Sequence, residues 1–276
     1  MKKIIDFDTP YTIEVEKETV GAINLRVKAM KSTGENDGQG NPILELAPIF
    51  DLNKISIEVT LIRANGRETK IMRGHLANNL IGMFAQTVKY ALTRKKTNDG
   101  YFHYFDFNPY AIGLNDGDKL KVDLTVGSSA YESVRKMDSL IEFETVEVKS
   151  ASSEFPVIRS YPIGKDKEEI DINLGDNVVK VVALTDLKKD YLSSTEAKLT
   201  LGSLRAQGFY KNFTQTSLFV QNMHYFDNNP ESDVEDLCVY QAQNKSEILN
   251  DVKIVASLDK PALETAKIMV VAMERI

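Results

Sequence analysis

One cysteine, three histidines and no tryptophan occur among 276 residues, and each scarcity closes off a class of function. A single cysteine forms no internal disulfide, so the fold rests on packing alone, which suits synthesis in a reducing cytoplasm. Its setting, Leu237-Cys238-Val239-Tyr240, is apolar and strand-like, the surroundings of an inert buried thiol rather than of a nucleophile. Cationic excess is missing too. Net charge is −6, with 20 Lys/Arg against 21 Asp/Glu in residues 1–150 and 14 against 19 in 151–276. A general binder of phosphate backbone needs a positive face, so nucleic acid is not an expected partner. No apolar run approaches the length of a bilayer span, which leaves only a peripheral relationship with a membrane. The opening Met1-Lys2-Lys3-Ile4-Ile5-Asp6-Phe7-Asp8 lacks the apolar stretch and cleavage site of a signal peptide, and export by that route is not expected. Neither a Gly-x-Ser-x-Gly elbow nor a Gly-x-x-x-x-Gly-Lys phosphate loop nor a Gly-x-Gly-x-x-Gly fingerprint is found.

What the chain does contain is an internal echo. His103-Tyr104-Phe105-Asp106-Phe107-Asn108-Pro109 returns 121 residues later as His224-Tyr225-Phe226-Asp227-Asn228-Asn229-Pro230, identical at six of seven positions. A long-period repeat signals one structural unit used twice. At the same offset Ile55–Ile62 meets Val178–Leu184, both rich in β-branched residues, and Pro42-Ile43 meets Pro162-Ile163 at 120. Each half closes on an apolar strand pattern, Leu140–Val148 and Ala266–Met273. The small, polar Lys149–Pro156 stretch reads as a linker, which divides the chain into 1–150 and 151–276.

Short alternating segments separated by turn residues point to β-sandwiches. Asn65-Gly66 is the strongest hairpin signal, because Asn-Gly suits a two-residue type I′ turn between Ile55–Arg63 and Glu68–Met72. Further strands are expected at Tyr11–Val15, Ile23–Ala29, Tyr101–Phe107, Lys119–Thr125, Glu169–Ile172, Ala197–Leu201, Ser217–Phe226, Leu237–Gln241 and Val252–Leu258. One segment departs from this pattern: Leu76, Leu80, Ile81, Phe84, Val88, Ala91 and Leu92 recur at helical spacing, predicting an amphipathic helix over His75–Lys96. Arg94, Lys95 and Lys96 would then face the negative pole of its dipole. A shorter, weaker helix is expected at Ser203–Tyr210.

No chemistry-bearing constellation stands out. His103 and Asp106 would point to opposite faces of a strand, so they diverge within the repeated motif, and only His75 remains as a further candidate ligand. The Asn-Asp-Gly triplets at 36–38, 98–100 and 115–117 explain themselves as turns, although Asn115-Asp116-Gly117-Asp118 is rich enough in oxygen to hold an ion. Tyr101, Tyr104 and Tyr110 would offer stacking faces to a sugar. No catalytic, cofactor-binding or metal-ligating residue is assigned, and the chain is not expected to be an enzyme.

The pair Ile55–Met72, the helix at His75–Lys96, the returning strand Tyr101–Phe107, the Pro162–Thr185 opening of the second half and the closing Ala266–Arg275 form a layout. It resembles the tandem, or double, jelly-roll major capsid proteins of tailless icosahedral bacteriophages with an internal membrane. That resemblance implies an all-β protein of two tandem jelly-roll barrels, 1–150 and 151–276, with an inserted helix in the first and a weaker one in the second. It further implies a homotrimer whose six barrels make a pseudo-hexameric capsomer, placed in the virion over a membrane beside other coat or vertex proteins. The competing expectation is a two-domain carbohydrate-binding or host-adhesion protein, since jelly rolls also serve as lectins.

Overall fold

The computed structural model describes residues 1–6, 10–46, 55–75, 94–97, 100–107, 112–126, 135–184, 199–225, 238–262 and 266–275. These cluster into two compact units, one holding the described residues through Phe155 and the other those from Pro156 to Arg275. In the first unit the strands are β1 (Lys2–Asp6), β2 (Tyr11–Glu16), β3 (Thr19–Lys28), β4 (Met30–Asn36), β5 (Pro42–Leu46), β6 (Ile55–Ile62), β7 (Glu68–His75), β8 (Arg94–Thr97), β9 (Gly100–Phe107), β10 (Ile112–Gly113), β11 (Lys119–Val126) and β12 (Leu140–Glu147). The second is built from β13 (Glu154–Pro162), β14 (Glu169–Gly175), β15 (Val178–Leu184), β16 (Leu199–Ala206), β17 (Phe209–Thr214), helix α1 (Gln215–Tyr225), β18 (Cys238–Gln241), β19 (Val252–Leu258) and β20 (Lys267–Arg275).

Both units order their strands alike. The first has sheets β1-β12-β3-β9-β8 and β2-β11-β6-β7; the second has β13-β20-β15-β18 and β14-β19-β16-β17. Set β4, β5, β8 and β10 aside, number the remaining eight strands of the first unit from one to eight, and do the same for β13–β20. Each unit then reads 1-8-3-6 in one sheet and 2-7-4-5 in the other. Apart from strands four and five, which form a hairpin within one sheet, successive strands cross between two antiparallel sheets, which is the jelly-roll winding, performed twice in one chain.

Alternation builds these sheets. In β11 the side chains of Leu120, Val122 and Leu124 are buried while Lys119, Lys121 and Asp123 lie toward solvent, so a period of two assigns one face to the core. The second core gathers Ile170, Leu174, Val181, Leu204, Phe213, Val239, Ile254 and Ile268. Gly202 on β16 is explained by this core. A Cβ there would come within 2.3 Å of the Phe213 ring, which sits over the glycine from the paired strand. β20 departs from alternation, because Ile268 to Met273 are all buried, as the unbroken apolar run demands of a strand covered on both faces.

Several sequence expectations need correction. His75 ends β7 and Arg94–Lys96 lie in β8, paired with Tyr101–His103 of β9, so neither end of the expected helix is helical; residues 76–93 lie outside the described ones. Strand pairing, not a helix dipole, accounts for the Arg-Lys-Lys segment's conformation. Ser203–Tyr210 is a hairpin, with Ala206 opposite Phe209 around Gln207-Gly208 and Gly208 at φ 72°. The helix of the second unit falls instead on Gln215–Tyr225, where a strand was expected. Its start is fixed by a reciprocal cap: Thr214 Oγ1 accepts from the Ser217 N–H at 3.2 Å and Ser217 Oγ accepts from the Thr214 N–H at 2.8 Å. The β6–β7 turn is also longer than Asn-Gly suggests. Arg63 and Arg67 close a three-residue loop in which Gly66, at φ 82°, is left-handed and Asn65 is not.

The heptapeptide echo is not a structural one. His103–Phe107 of its first copy lie in β9 and His224 and Tyr225 of the second end α1, while the rest of each copy lies outside the described residues. Ile55–Ile62 and Val178–Leu184 are likewise the fourth strand of one unit and the third of the other, and Pro42-Ile43 opens β5 whereas Pro162 ends β13. Of the matched segments, the closing pair β12 and β20 occupies one position in both units. Duplication resides in the strand order.

Candidate assembly surface

Among the described residues no three His, Cys, Asp or Glu side chains gather as a metal would require, and no helix is long and apolar enough to cross a membrane. His103 stands in register with Val27 of β3 and Arg94 of β8, while Asp106 stands opposite Asn24. Tyr101 and Tyr104 also lie on β9, and Tyr110 is outside the described residues. His75 ends β7, in register with Ser56, and Cys238 begins β18 opposite Val182.

The oxygen-rich Asn115–Asp118 turn holds a cation of the protein itself. Asp118, 4% exposed, accepts from Arg63 Nη1 at 2.8 Å, from the Ala64 N–H at 2.9 Å and from the Asn115 N–H at 3.0 Å. Burial pushes this carboxyl up, but the donors from Ala64, Arg63 and Asn115 outweigh it and hold the group below the usual aspartate value. Arg63 Nη1 also reaches the Gly113 carbonyl at 3.2 Å. The β6–β7 loop is thereby clasped to the segment entering β11. Gly117, at φ 86°, lets the turn approach Ala64, whose Cβ would lie 2.9 Å from an added side chain. An ion is a poor replacement here, because the carboxylate oxygens already accept from N–H groups.

The Asn36-Asp37-Gly38 triplet likewise serves a turn. Asp37 Oδ1 accepts from the N–H of Gln39 and of Asn41, both at 2.8 Å, and Oδ2 accepts from Asn41 Nδ2 at 3.1 Å. The Asn41 N–H and side chain, with the Gln39 N–H, hold the Asp37 carboxyl below its ordinary value. The third triplet falls partly outside the described residues.

The Asp37 turn caps an exposed ribbon of the first unit. Among the described residues β4 and β5 pair only with each other, and residues 33–41 are exposed throughout. Lys31 and Glu45 face each other across this ribbon at 3.2 Å, and Thr33 Oγ1 donates to the Ile43 carbonyl at 3.2 Å. The root is anchored: the Met30 N–H donates to Ser139 Oγ at 2.9 Å, and the Arg135 N–H donates to the Met30 carbonyl at 2.6 Å. Beside it runs a groove of about 370 Å³ lined by Ile4, Lys28, Met30, Leu44, Met137 and Leu140, among others. Ile4 is 64% exposed and Met137 97%. Apolar side chains this open, beside a ribbon whose strands pair with no other described strand, suit protein contact better than a reaction centre. In the second unit Tyr210 and Leu201 are similarly open, with Arg205 5.5 Å from the centre of the Tyr210 ring.

A jelly roll wound twice in one chain defines an all-β architecture of two tandem barrels. A solved structure shares it from end to end: the major capsid protein P2 from Bacteriophage PM2 aligns with 100% of this chain and 98% of its own, at 11% identity and a TM-score of 0.50. Identity this low speaks for the fold alone. Two other structures, described as the triple jelly roll fold and turret assembly in an archaeal virus and as the atomic structure of Sulfolobus Turreted Icosahedral Virus, align at 10% and 11% identity. Each alignment covers 99% of this chain and 58% of the other, at TM-scores of 0.24 and 0.23, too low to carry an argument. No protein-family model matches the sequence, and no curated protein matches it.

Proposed function

We propose that this chain is a capsid subunit: a structural virion protein that forms homotrimeric, pseudo-hexameric capsomers of an icosahedral shell. The observation that carries this reading is the repetition of one strand order, 1-8-3-6 and 2-7-4-5, in both halves. Two barrels on one chain, taken three times around an axis, give six similar corners with two kinds of edge. Such a tile fills a flat facet, while its alternating edges let neighbouring contacts differ. In this reading the barrels are 1–150 and 151–276, no residue performs chemistry, and stability comes from the sandwich cores and from subunit contacts. The end-to-end likeness to the major capsid protein P2 from Bacteriophage PM2 supports it. So do the open apolar side chains Ile4 and Met137 and the β4–β5 ribbon, which pairs with no other described strand. Other coat or vertex proteins and a peripheral contact with a viral membrane complete the proposed setting, with synthesis in the host cytoplasm and residence in the virion.

Native mass spectrometry and light scattering of the purified chain test the proposal. A trimer, assembling further as concentration rises, is the expected result. A monomer at every accessible concentration overturns it.

A further inference from the structure

The ribbon and β8, at one edge of the first unit's larger sheet, are of opposite charge and lie toward different sides of the same unit. From Ser32 to Leu44 the ionisable residues are Glu35 and Asp37, so the outer ribbon is purely acidic. β8, Arg94-Lys95-Lys96-Thr97, is purely basic and forms one edge of the sheet β1-β12-β3-β9-β8, paired on one side with β9 and on the other with no described strand. The opposite edge is β1, and the ribbon's base belongs to that side. Leu44 of β5 and Met30 of β4 line the same groove as Ile4 and Asp6 of β1 and Leu140 of β12. Four strand spacings separate β1 from β8, about 19 Å at the usual interstrand distance.

We propose that the acidic β4–β5 ribbon of one copy seats against the basic β8 edge of a second copy of this chain. Three features argue for that occupant. The outer ribbon and β8 are of opposite charge, each of a single sign along its length, which steers an encounter and disfavours contact between like patches. The ribbon reaches its turn in a fixed shape, because Asp37 gathers three donors from Gln39 and Asn41, so little ordering is needed on docking. The two patches differ and lie toward opposite edges of one sheet, so the contact is heterologous, the kind that closes into a ring when the rotation permits. A threefold ring uses each ribbon and each edge once. This inference rests on the trimer reading above and specifies how neighbouring chains engage.

The test mixes light and heavy-nitrogen-labelled chains, allows them to assemble, and treats the oligomer with a zero-length carbodiimide. Links between Glu35 or Asp37 of one label and Lys95 or Lys96 of the other are expected. In parallel, the double variant Glu35→Lys, Asp37→Lys is expected to raise the concentration at half-association by about tenfold or more, because it sets like charges against each other. Adding Lys95→Glu and Lys96→Glu to that variant restores association, a result that a merely misfolded variant does not give. An oligomer with no such mixed-label links, and with association unchanged in Glu35→Lys, Asp37→Lys, overturns the ribbon contact and leaves the trimer reading standing. A chain that never associates overturns both.

Discussion

Arg63 Nη1 lies 2.8 Å from Asp118 Oδ2, joining the β6–β7 loop to the segment that enters β11. Two N–H donors, from Ala64 and Asn115, complete the carboxylate's environment. Asp118→Ala removes a buried charge and strands the guanidinium and both amides, and a loss of about 2–4 kcal/mol is expected. Urea unfolding of the variant against the parent chain measures it. Added calcium leaves the parent midpoint unchanged, because N–H donors already occupy the carboxylate.

The same carboxyl gives the protein an acid-sensitive contribution. Its folded value lies below the ordinary one, so the ionised form is preferred in the folded state. The stabilisation is fully present above the unfolded aspartate value of about 3.9 and is lost as pH falls through the lower folded value. Asp118→Asn is expected to flatten the fall of stability in that window. Denaturant midpoints measured from about pH 6 down to about pH 2 give the comparison.

Gly202 predicts an overpacking penalty in the second unit. An added methyl meets the Phe213 ring at 2.3 Å and Ala256 Cβ at 2.8 Å, so Gly202→Ala displaces a fully buried aromatic. About 1–3 kcal/mol of stability is expected to be lost. Combining it with Phe213→Leu recovers part of the loss, and thermal unfolding of the single and double variants reads the coupling.

Thr214 caps α1 through the Ser217 N–H. Thr214→Ala is expected to cost about 1 kcal/mol, while Thr214→Ser retains the acceptor and most of the stability. Chemical denaturation of the two variants separates loss of the hydroxyl from loss of the methyl.

Much of the fold is legible in the sequence wherever one face of a strand is buried and the other is wet. β11 shows it plainly, with apolar residues at 120, 122 and 124 and polar ones between. The β-sandwich class follows from such segments, the jelly-roll winding enters through the family resemblance, and of the matched segments that suggest duplication the closing strands β12 and β20 share a position. Elements decided by partners distant in sequence are not legible. Arg94–Thr97 becomes a strand because β9 offers it a ladder, and the helical spacing of the residues before it does not reveal that. The His-Tyr-Phe-Asp echo fails for the same reason: a short apolar-aromatic string takes strand or helix according to its tertiary surroundings. Its second copy follows a capped helix start at Thr214-x-x-Ser217, a local signal that reading Ser217–Phe226 as a strand overlooks. The Asn115–Asp118 turn is visible as a turn, but Arg63 is 55 residues away from Asp118 and no spacing announces their meeting. The ribbon reads in sequence only as a long loop, since its pairing is internal and its exposed side chains carry no alternation.

β20 has no wet face from Ile268 to Met273, and it lies between β13 and β15 in its sheet. Water reaches such a strand last, so its amides are the ones that exchange with solvent most slowly in the second barrel, and disassembly that spares this barrel's core leaves β20 as the final protected segment.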